Sequence, residues 1–213
     1  MGPFCKSALT ILACSALSLI SNLASAQQKQ TAKPQFQVTS SEFQNQTTLP
    51  ISMINNNIVN GVNTCSIDGS PGGNESPDLS WTNAPAGTQS FVVVLYDVSA
   101  AFTHWGMYNI PATTTALPQN AGVPGSTYGQ QVYNDFFTAA AYGGPCPPIG
   151  VAPFAHHYQF TVYALDETLT LYGSANFPPS AETLYHALIT AGRYHHILAT
   201  ASLVGFYSAT PAK

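Results

Sequence analysis

Two neighbouring stretches carry residue types that could do chemistry: Gly143-Gly144-Pro145-Cys146-Pro147-Pro148, and His156-His157-Tyr158 eight residues beyond its last proline. Adjacent prolines fix two φ angles at about −65° and remove two backbone donors, so the first stretch is a stiff loop rather than a helix or a central strand. The run from His156 to Ala164 is β-branched and aromatic and reads as a strand. His156 and Tyr158, two apart, share one strand face, and His157 points to the other. An imidazole and a phenol beside a rigid loop make a small polar pocket; an aromatic stack with no ligand is the ordinary alternative. Upstream, Asp97 ends an apolar run and His104 follows seven residues later, just before Trp105. That spacing could bring a carboxylate and an imidazole to one rim, although from spacing alone an isolated rim histidine bonded to backbone is the commoner outcome.

The elements that must position these groups are mostly strands. Strands are expected over Phe36–Thr39, Ile51–Ile58, Ser90–Val98, Trp105–Ile110, Tyr158–Leu165 and Ile197–Tyr207, separated by turns rich in glycine and proline. Ser90 to Val98 is nearly all apolar, the pattern of a central strand buried on both faces. A helix is expected from Ser180, with Leu184, Leu188, Tyr185 and Ile189 as its apolar stripe and Gly192 as its end. No internal repeat is visible. The fold class is mostly β, a single domain with one or two peripheral helices.

Four ordered motifs now fall into place: Ser76-Pro77-Asp78-Leu79-Ser80-Trp81, the segment from Tyr96-Asp97 to His104-Trp105 continuing to Asn109-Ile110-Pro111, the loop from Gly143 to Pro148, and the strand opening at His156. Together they resemble the phosphatidylethanolamine-binding protein family, in its bacterial Raf-kinase-inhibitor-like branch, over roughly residues 36–208. The resemblance implies large antiparallel sheets and a pocket formed by Asp97, His104, Pro147, Pro148, His156 and Tyr158, where related proteins hold phosphate-like groups. It also implies that Asn134-Asp135-Phe136 braces the pocket loop through side-chain-to-backbone bonds. Two family positions differ. The Asp-Pro-Asp-Ala-Pro pattern reads Asp97-Val98-Ser99-Ala100-Ala101, and His-Arg-Tyr reads His156-His157-Tyr158, so a second carboxylate and an arginine are missing.

Residues 1–26 read as a signal peptide: Lys6, an apolar stretch from Ala8 to about Leu23, then Ala24-Ser25-Ala26 as a cleavage site. Export as a periplasmic or secreted protein follows, with residues 27–35 as a flexible tether, 36–208 as the domain and 209–213 as a tail. No later stretch approaches the length of a membrane span. Only Cys65 and Cys146 survive cleavage, and a single disulfide is the economical reading in an oxidising compartment. Two free thiols are the alternative, with no basic neighbour to favour a thiolate. The mature chain sets Lys29, Lys33, Arg193 and Lys213 against nine acids, with no lysine or arginine from Gln35 to Gly192. Nucleic acid and anionic membrane surfaces are therefore excluded as partners.

Without a permanent cation, an anion must be held by imidazole, hydroxyl and backbone N–H groups, including those of the 142–147 turn. Asp97 beside such an anion makes sense if it holds an imidazolium or receives the ammonium of a zwitterion, and binding should tighten as pH falls through about 6.5, the unperturbed histidine value. The chain is therefore read as a non-enzymatic protein, without cofactor or metal, that binds a small anion or phosphate-containing headgroup and modulates a protein partner. The first alternative is an interaction or inhibitor module with a vestigial pocket and a recognition surface around Thr113 to Tyr133. The second is a metal-assisted hydrolase using Asp97, His104 and His156, although no nucleophile elbow or His-Glu-x-x-His motif occurs. His186 and the His195-His196 pair read as surface or packing histidines, and Asn45 and Asn74 as glycosylation acceptors only in a eukaryotic secretory pathway.

Overall fold

The computed structural model describes Gly2, residues 34–174 and residues 178–210. The expected signal peptide, most of the tether and the end of the tail lie outside the described residues. In chain order the strands are β1 (Gln37–Thr39), β2 (Thr47–Thr48), β3 (Ile58–Val59), β4 (Val62–Asn63), β5 (Leu79–Thr82), β6 (Ser90–Asp97), β7 (Phe102–Pro111), β8 (Ala116–Leu117), β9 (Gln130–Gln131) and β10 (His156–Leu165). Helix α1 (Ala181–Arg193) and strand β11 (Ile197–Tyr207) follow. The main sheet has the order β2-β11-β10-β6-β7-β9 and is antiparallel except where β11 meets β2. A second sheet, β1-β5-β8, and the β3-β4 hairpin complete the strands.

Alternation along β6 explains the layering. Phe91, Val93 and Leu95 point to one side, where they pack with Val38, Leu79 and Trp81 of the second sheet; Trp81 lies 5.1 Å from Phe91, ring to ring. Val92 and Val94 point to the other side, where Leu184, Leu188 and Ala191 of α1 cover them. β6 is thus buried on both faces, as its unbroken apolar run requires. α1 starts at Ser180, whose hydroxyl accepts from the Thr183 N–H while the Thr183 hydroxyl accepts from the Ser180 N–H. Gly106 on β7 lets the helix come close, since a Cβ there would meet Leu184 and Val132 side-chain carbons at 2.7 Å.

Three expectations change. Ile51–Ile58 is not a strand: Pro50 starts a short 3-10 turn over Ile51–Met53, and the carbonyls of Ile51, Ser52 and Ile54 accept from Gly73, Glu75 and Asn74 instead of from a sheet partner. Only Ile58–Val59 pairs, in a hairpin. In α1, Tyr185 and Ile189 are exposed and the buried stripe is Ala181, Leu184, Leu188 and Ala191. The helix runs one residue past Gly192, and His195 takes the left-handed conformation (φ 64°) that follows its end. Third, β7 begins at Phe102, so His104 lies inside the strand rather than ahead of it.

Candidate functional site

Four of the six expected site residues converge at one end of the main sheet. Asp97, the last residue of β6, lies opposite Tyr158 of β10 and Phe102 of β7. His156 opens β10 two residues before Tyr158, so strand alternation puts both on the face of Asp97. His104 arrives by a different device. The register of β6 against β7 runs from Leu95–Trp105 to Tyr96–Thr103, which makes His104 the extra residue of a β-bulge. A bulge bends its strand and re-aims a side chain. All four residues are buried, with Asp97, His104 and His156 exposing 2%, 3% and 5% of their surface and Tyr158 none.

The hydrogen bonds fix which atoms can give and which can take. Asp97 Oδ2 lies 2.6 Å from His156 Nδ1, and Asp97 Oδ1 accepts from the Ser99 and Ala100 N–H groups at 2.8 and 3.2 Å. A carboxylate only accepts, so His156 Nδ1 carries a proton and Nε2 is the atom that decides whether the ring is charged. His104 Nδ1 donates to the carbonyls of Gly143 and Gly144, at 2.7 and 3.1 Å. Burial pushes the His104 imidazole below the ordinary histidine range, against the Gly143 carbonyl and the Asp97 charge, which favour protonation. Its neutral ring therefore offers Nε2 as an acceptor. The Tyr158 hydroxyl is buried and makes no hydrogen bond of ordinary geometry, though it reaches toward the Asp97 carboxylate. Burial, then the charge of Asp97 and that loose contact with its carboxylate, push this phenol upward, which keeps it an O–H donor.

The aromatic rings tie the group together. The Tyr158 ring sits 5.3 Å from His104, edge to face, and 6.3 Å from His156, stacked. Sequence reasoning missed two contributors: Phe102, at 4.9 Å from His104, and Phe136, at 5.4 Å from it. Phe136 lay in a segment already singled out, whereas nothing in the local sequence marked Phe102. His104 is thus bonded to backbone, as the plainer reading had it, but it is not isolated. The carboxylate that was expected beside it bonds His156 instead.

The stiff loop does its work through carbonyls, not N–H groups. The N–H groups of Tyr142, Gly143 and Gly144 are taken by the Gly122 carbonyl, the His104 carbonyl and Asn74 Oδ1, and Pro145, Pro147 and Pro148 have none. Of the N–H groups expected to serve an anion from this turn, only that of Cys146 lies outside these bonds. Close packing accounts for the two glycines: a Cβ on Gly143 would meet Asn134 Nδ2 and the Phe136 ring at 2.8 Å, and one on Gly144 would run into the Met53 carbonyl oxygen. Asn134 donates to the Ala141 carbonyl and accepts from the Phe136 N–H, which supplies the bracing expected of this segment. Pro147 is buried and Pro148 exposed. A disulfide joins Cys65 to Cys146 and ties the loop to the segment after β4. Among the described residues, no helix is long and apolar enough to cross a membrane.

Known proteins resemble this chain over the same span. The family profile described as "Phosphatidylethanolamine-binding protein" matches residues 39–208. UPF0098 protein YbcL of Escherichia coli (strain K12) is 43% identical over 138 residues, covering 61% of this chain and 68% of YbcL. UPF0098 protein YbhB of the same strain is 35% identical over 147 residues, covering 66% of this chain and 85% of YbhB. The crystal structure of E. coli YbcL, described as a member of the mammalian PEBP family, superposes with a TM-score of 0.66 over 82% of this chain and 99% of that one, at 34% identity. With the profile covering most of its length and three of the four motifs meeting in one buried cluster, the chain belongs to the phosphatidylethanolamine-binding protein family.

Proposed function

We propose that this chain is an exported, non-catalytic binding protein whose pocket holds a phosphate-type anion, specifically a phospholipid headgroup. The observation that carries this reading is the burial together, at one end of the sheet, of the Asp97–His156 pair, His104 and a Tyr158 hydroxyl that makes no hydrogen bond of ordinary geometry. A buried polar group left unmatched costs about 1–3 kcal/mol, and native proteins keep few of them. A ligand oxygen would relieve it. The surrounding atoms suit a phosphate that retains one proton: Tyr158 donates, His156 donates from Nε2 once protonated, and His104 Nε2 accepts from a P–OH group. Asp97 then holds the imidazolium rather than facing the anion unaided.

The Cys65–Cys146 disulfide supports an oxidising compartment. Ser99 is a poor nucleophile here, because its hydroxyl oxygen already accepts from the His157 N–H at 3.0 Å. Ile149, Val151 and Phe154 are exposed in the loop that runs into His156, and such an apolar approach suits a headgroup that still carries acyl chains. Any effect on a signalling protein would act on another exported protein or on a foreign one.

Calorimetric titration of the mature chain with phosphoethanolamine and with a lysophospholipid tests the reading. Saturable binding that Tyr158→Phe weakens supports it, and tighter binding of the lysophospholipid assigns the headgroup. Absence of binding by either, with function intact after His104→Gln and His156→Gln together, favours an interaction surface instead. A metal retained in native mass spectra of untagged protein would favour a metal-assisted hydrolase.

A further inference from the structure

A second cleft lies on the opposite face of the main sheet, between β6, β7, β10 and the first turns of α1, with a volume of about 360 Å³. Three tyrosines from three elements line it: Tyr96 of β6, Tyr163 of β10 and Tyr185 of α1. Two carboxylates, Asp135 and Glu182, share the lining. Tyr96 is 38% exposed although it sits on a central strand, because α1 covers Val92 and Val94 and stops short of this end of the sheet.

Charge in the cleft is one-sided. Asp135 accepts from the Thr103 N–H at 2.7 Å through one oxygen, and Glu182 has only the exposed His186 at 3.8 Å. No lysine or arginine occurs between Gln35 and Gly192, and Arg193 lies at the far end of α1, about 16 Å from Glu182 at 1.5 Å per residue. The start of the helix offers an anion few donors, because Ala181 donates to the Tyr133 carbonyl, Thr183 to the Ser180 hydroxyl and Leu184 to the Ser180 carbonyl. Negative charge beside tyrosine rings that line the same cleft favours a cation with an apolar periphery, since a ring face attracts positive charge and methyl groups pack on it. A small hydrated metal ion would want more oxygens than two carboxylates supply.

We propose that this cleft binds an organic ammonium ion of the choline class, with the rings of Tyr96, Tyr163 and Tyr185 against its methyl groups and Asp135 and Glu182 balancing its charge. The site is separate from the anion pocket. Tyr96 and Asp97 are neighbours on β6 but point to opposite faces, as do Thr103 and Phe102 at the start of β7. The same ammonium could be a free solute or part of a phosphocholine headgroup.

The test is a two-dimensional amide NMR titration of the mature chain with choline chloride, replacing sodium chloride at constant ionic strength. Expected are saturable shifts at Thr103, Asp135 and Glu182 to Tyr185, with a millimolar dissociation constant. Tyr185→Ala and Glu182→Gln, both at exposed helix positions, should each weaken binding by up to about five-fold, the first through one exposed cation–π contact and the second through one exposed charge pair. Saturation by choline assigns the free solute, and saturation only by dodecylphosphocholine micelles assigns the headgroup. Failure to saturate with either by about 0.1 M, two decades above a millimolar constant, overturns the proposal. Equal binding of ammonium and choline, shifts confined to the Asp97 side of the sheet, or unchanged affinity in both variants overturns it as well. Tyr158→Phe should leave choline binding untouched, so the two sites fail separately.

Discussion

Asp97→Asn should abolish the pH dependence of anion binding while leaving the fold in place. In the native protein Asp97 Oδ1 accepts from the Ser99 and Ala100 N–H groups, and Oδ2 accepts from His156 Nδ1. An asparagine keeps its carbonyl oxygen toward the two N–H groups, so its amide N–H₂ takes the place of Oδ2 and must donate. His156 Nδ1 then becomes an acceptor and the ring proton moves to Nε2. The native pocket can donate from Nε2 only after taking up a proton. Its affinity should therefore depend on pH, whereas the variant donates from a neutral ring throughout. At low pH the native imidazolium makes the stronger bond, because charge-assisted bonds are about twice as strong as neutral ones. A difference of about 1–1.5 kcal/mol, roughly tenfold in affinity, follows. The variant's stability should drop by a similar amount, since both partners are almost fully buried and solvent screens neither. The assay is calorimetric titration with phosphoethanolamine from acid to mildly alkaline pH, where the ratio of native to variant affinity cancels the ligand's own titration. Long-range ¹⁵N correlations of the His156 ring report the tautomer directly. A ratio constant with pH, or a variant ring still protonated at Nδ1, would refute the reasoning.

Other outcomes follow from the same geometry. Tyr158→Phe removes a buried hydroxyl that makes no hydrogen bond of ordinary geometry, so thermal melts should show little change in stability while anion affinity falls by about ten- to a hundredfold, the loss of one hydrogen bond to a charged group. His104 is held below the ordinary histidine range by burial. The unfolded chain therefore binds more protons below about pH 6.5 and stability must fall as pH drops, by up to about 1.4 kcal/mol per unit for this group. Urea melts of His104→Gln should show a shallower acid slope, and an identical slope would reject the assignment. Replacing Cys65 and Cys146 together with alanine opens a loop of 81 residues, for which chain entropy gives about 4 kcal/mol. At roughly 2–4 °C per kcal/mol for a domain of this size, the melting temperature should fall by about 8–16 °C in calorimetry. Gly144→Ala forces a methyl group into the backbone at Met53 and Asn55, and it should cost more stability than Gly192→Ala, whose Cβ meets only Ile197 Cδ1 at an ordinary 3.6 Å.

How far the sequence anticipated this structure depended on how local each signal was. β6 and β11 could be read directly, because a long run of mostly apolar residues is a property of the segment itself. Ile51–Ile58 misled because its residues favour strands, while the bonds that hold it come from residues 73–75 and from Pro145, far along the chain. Tyr185 and Ile189 sit close enough to the stripe of α1 to look buried, but only contact with the sheet decides which face is covered. At the site, the residue types and the two-residue spacing on β10 predicted His156 and Tyr158 as a pair. Which carboxylate oxygen meets which histidine could not be read, because it depends on a single bulge residue in β7 that shifts His104 out of the regular alternation.

The lack of lysine and arginine around the pocket becomes intelligible once its burial is known. A permanent cation at a position only 2–5% exposed would remain charged when the pocket is empty, and an unpaired buried charge costs several kcal/mol. Asp97 fixes the His156 ring through Nδ1, which leaves Nε2 as the atom that can meet a ligand. His104, bonded to two carbonyls and kept neutral by burial, contributes the one acceptor that a fully ionised anion cannot use. Such a pocket should rank oxyanions by their ability to keep a proton: a monoprotonated phosphate ester above a sulfate ester of the same size and charge. Arginine in place of His157 would add charge on the other strand face, beside Phe206, and should leave that ranking unchanged.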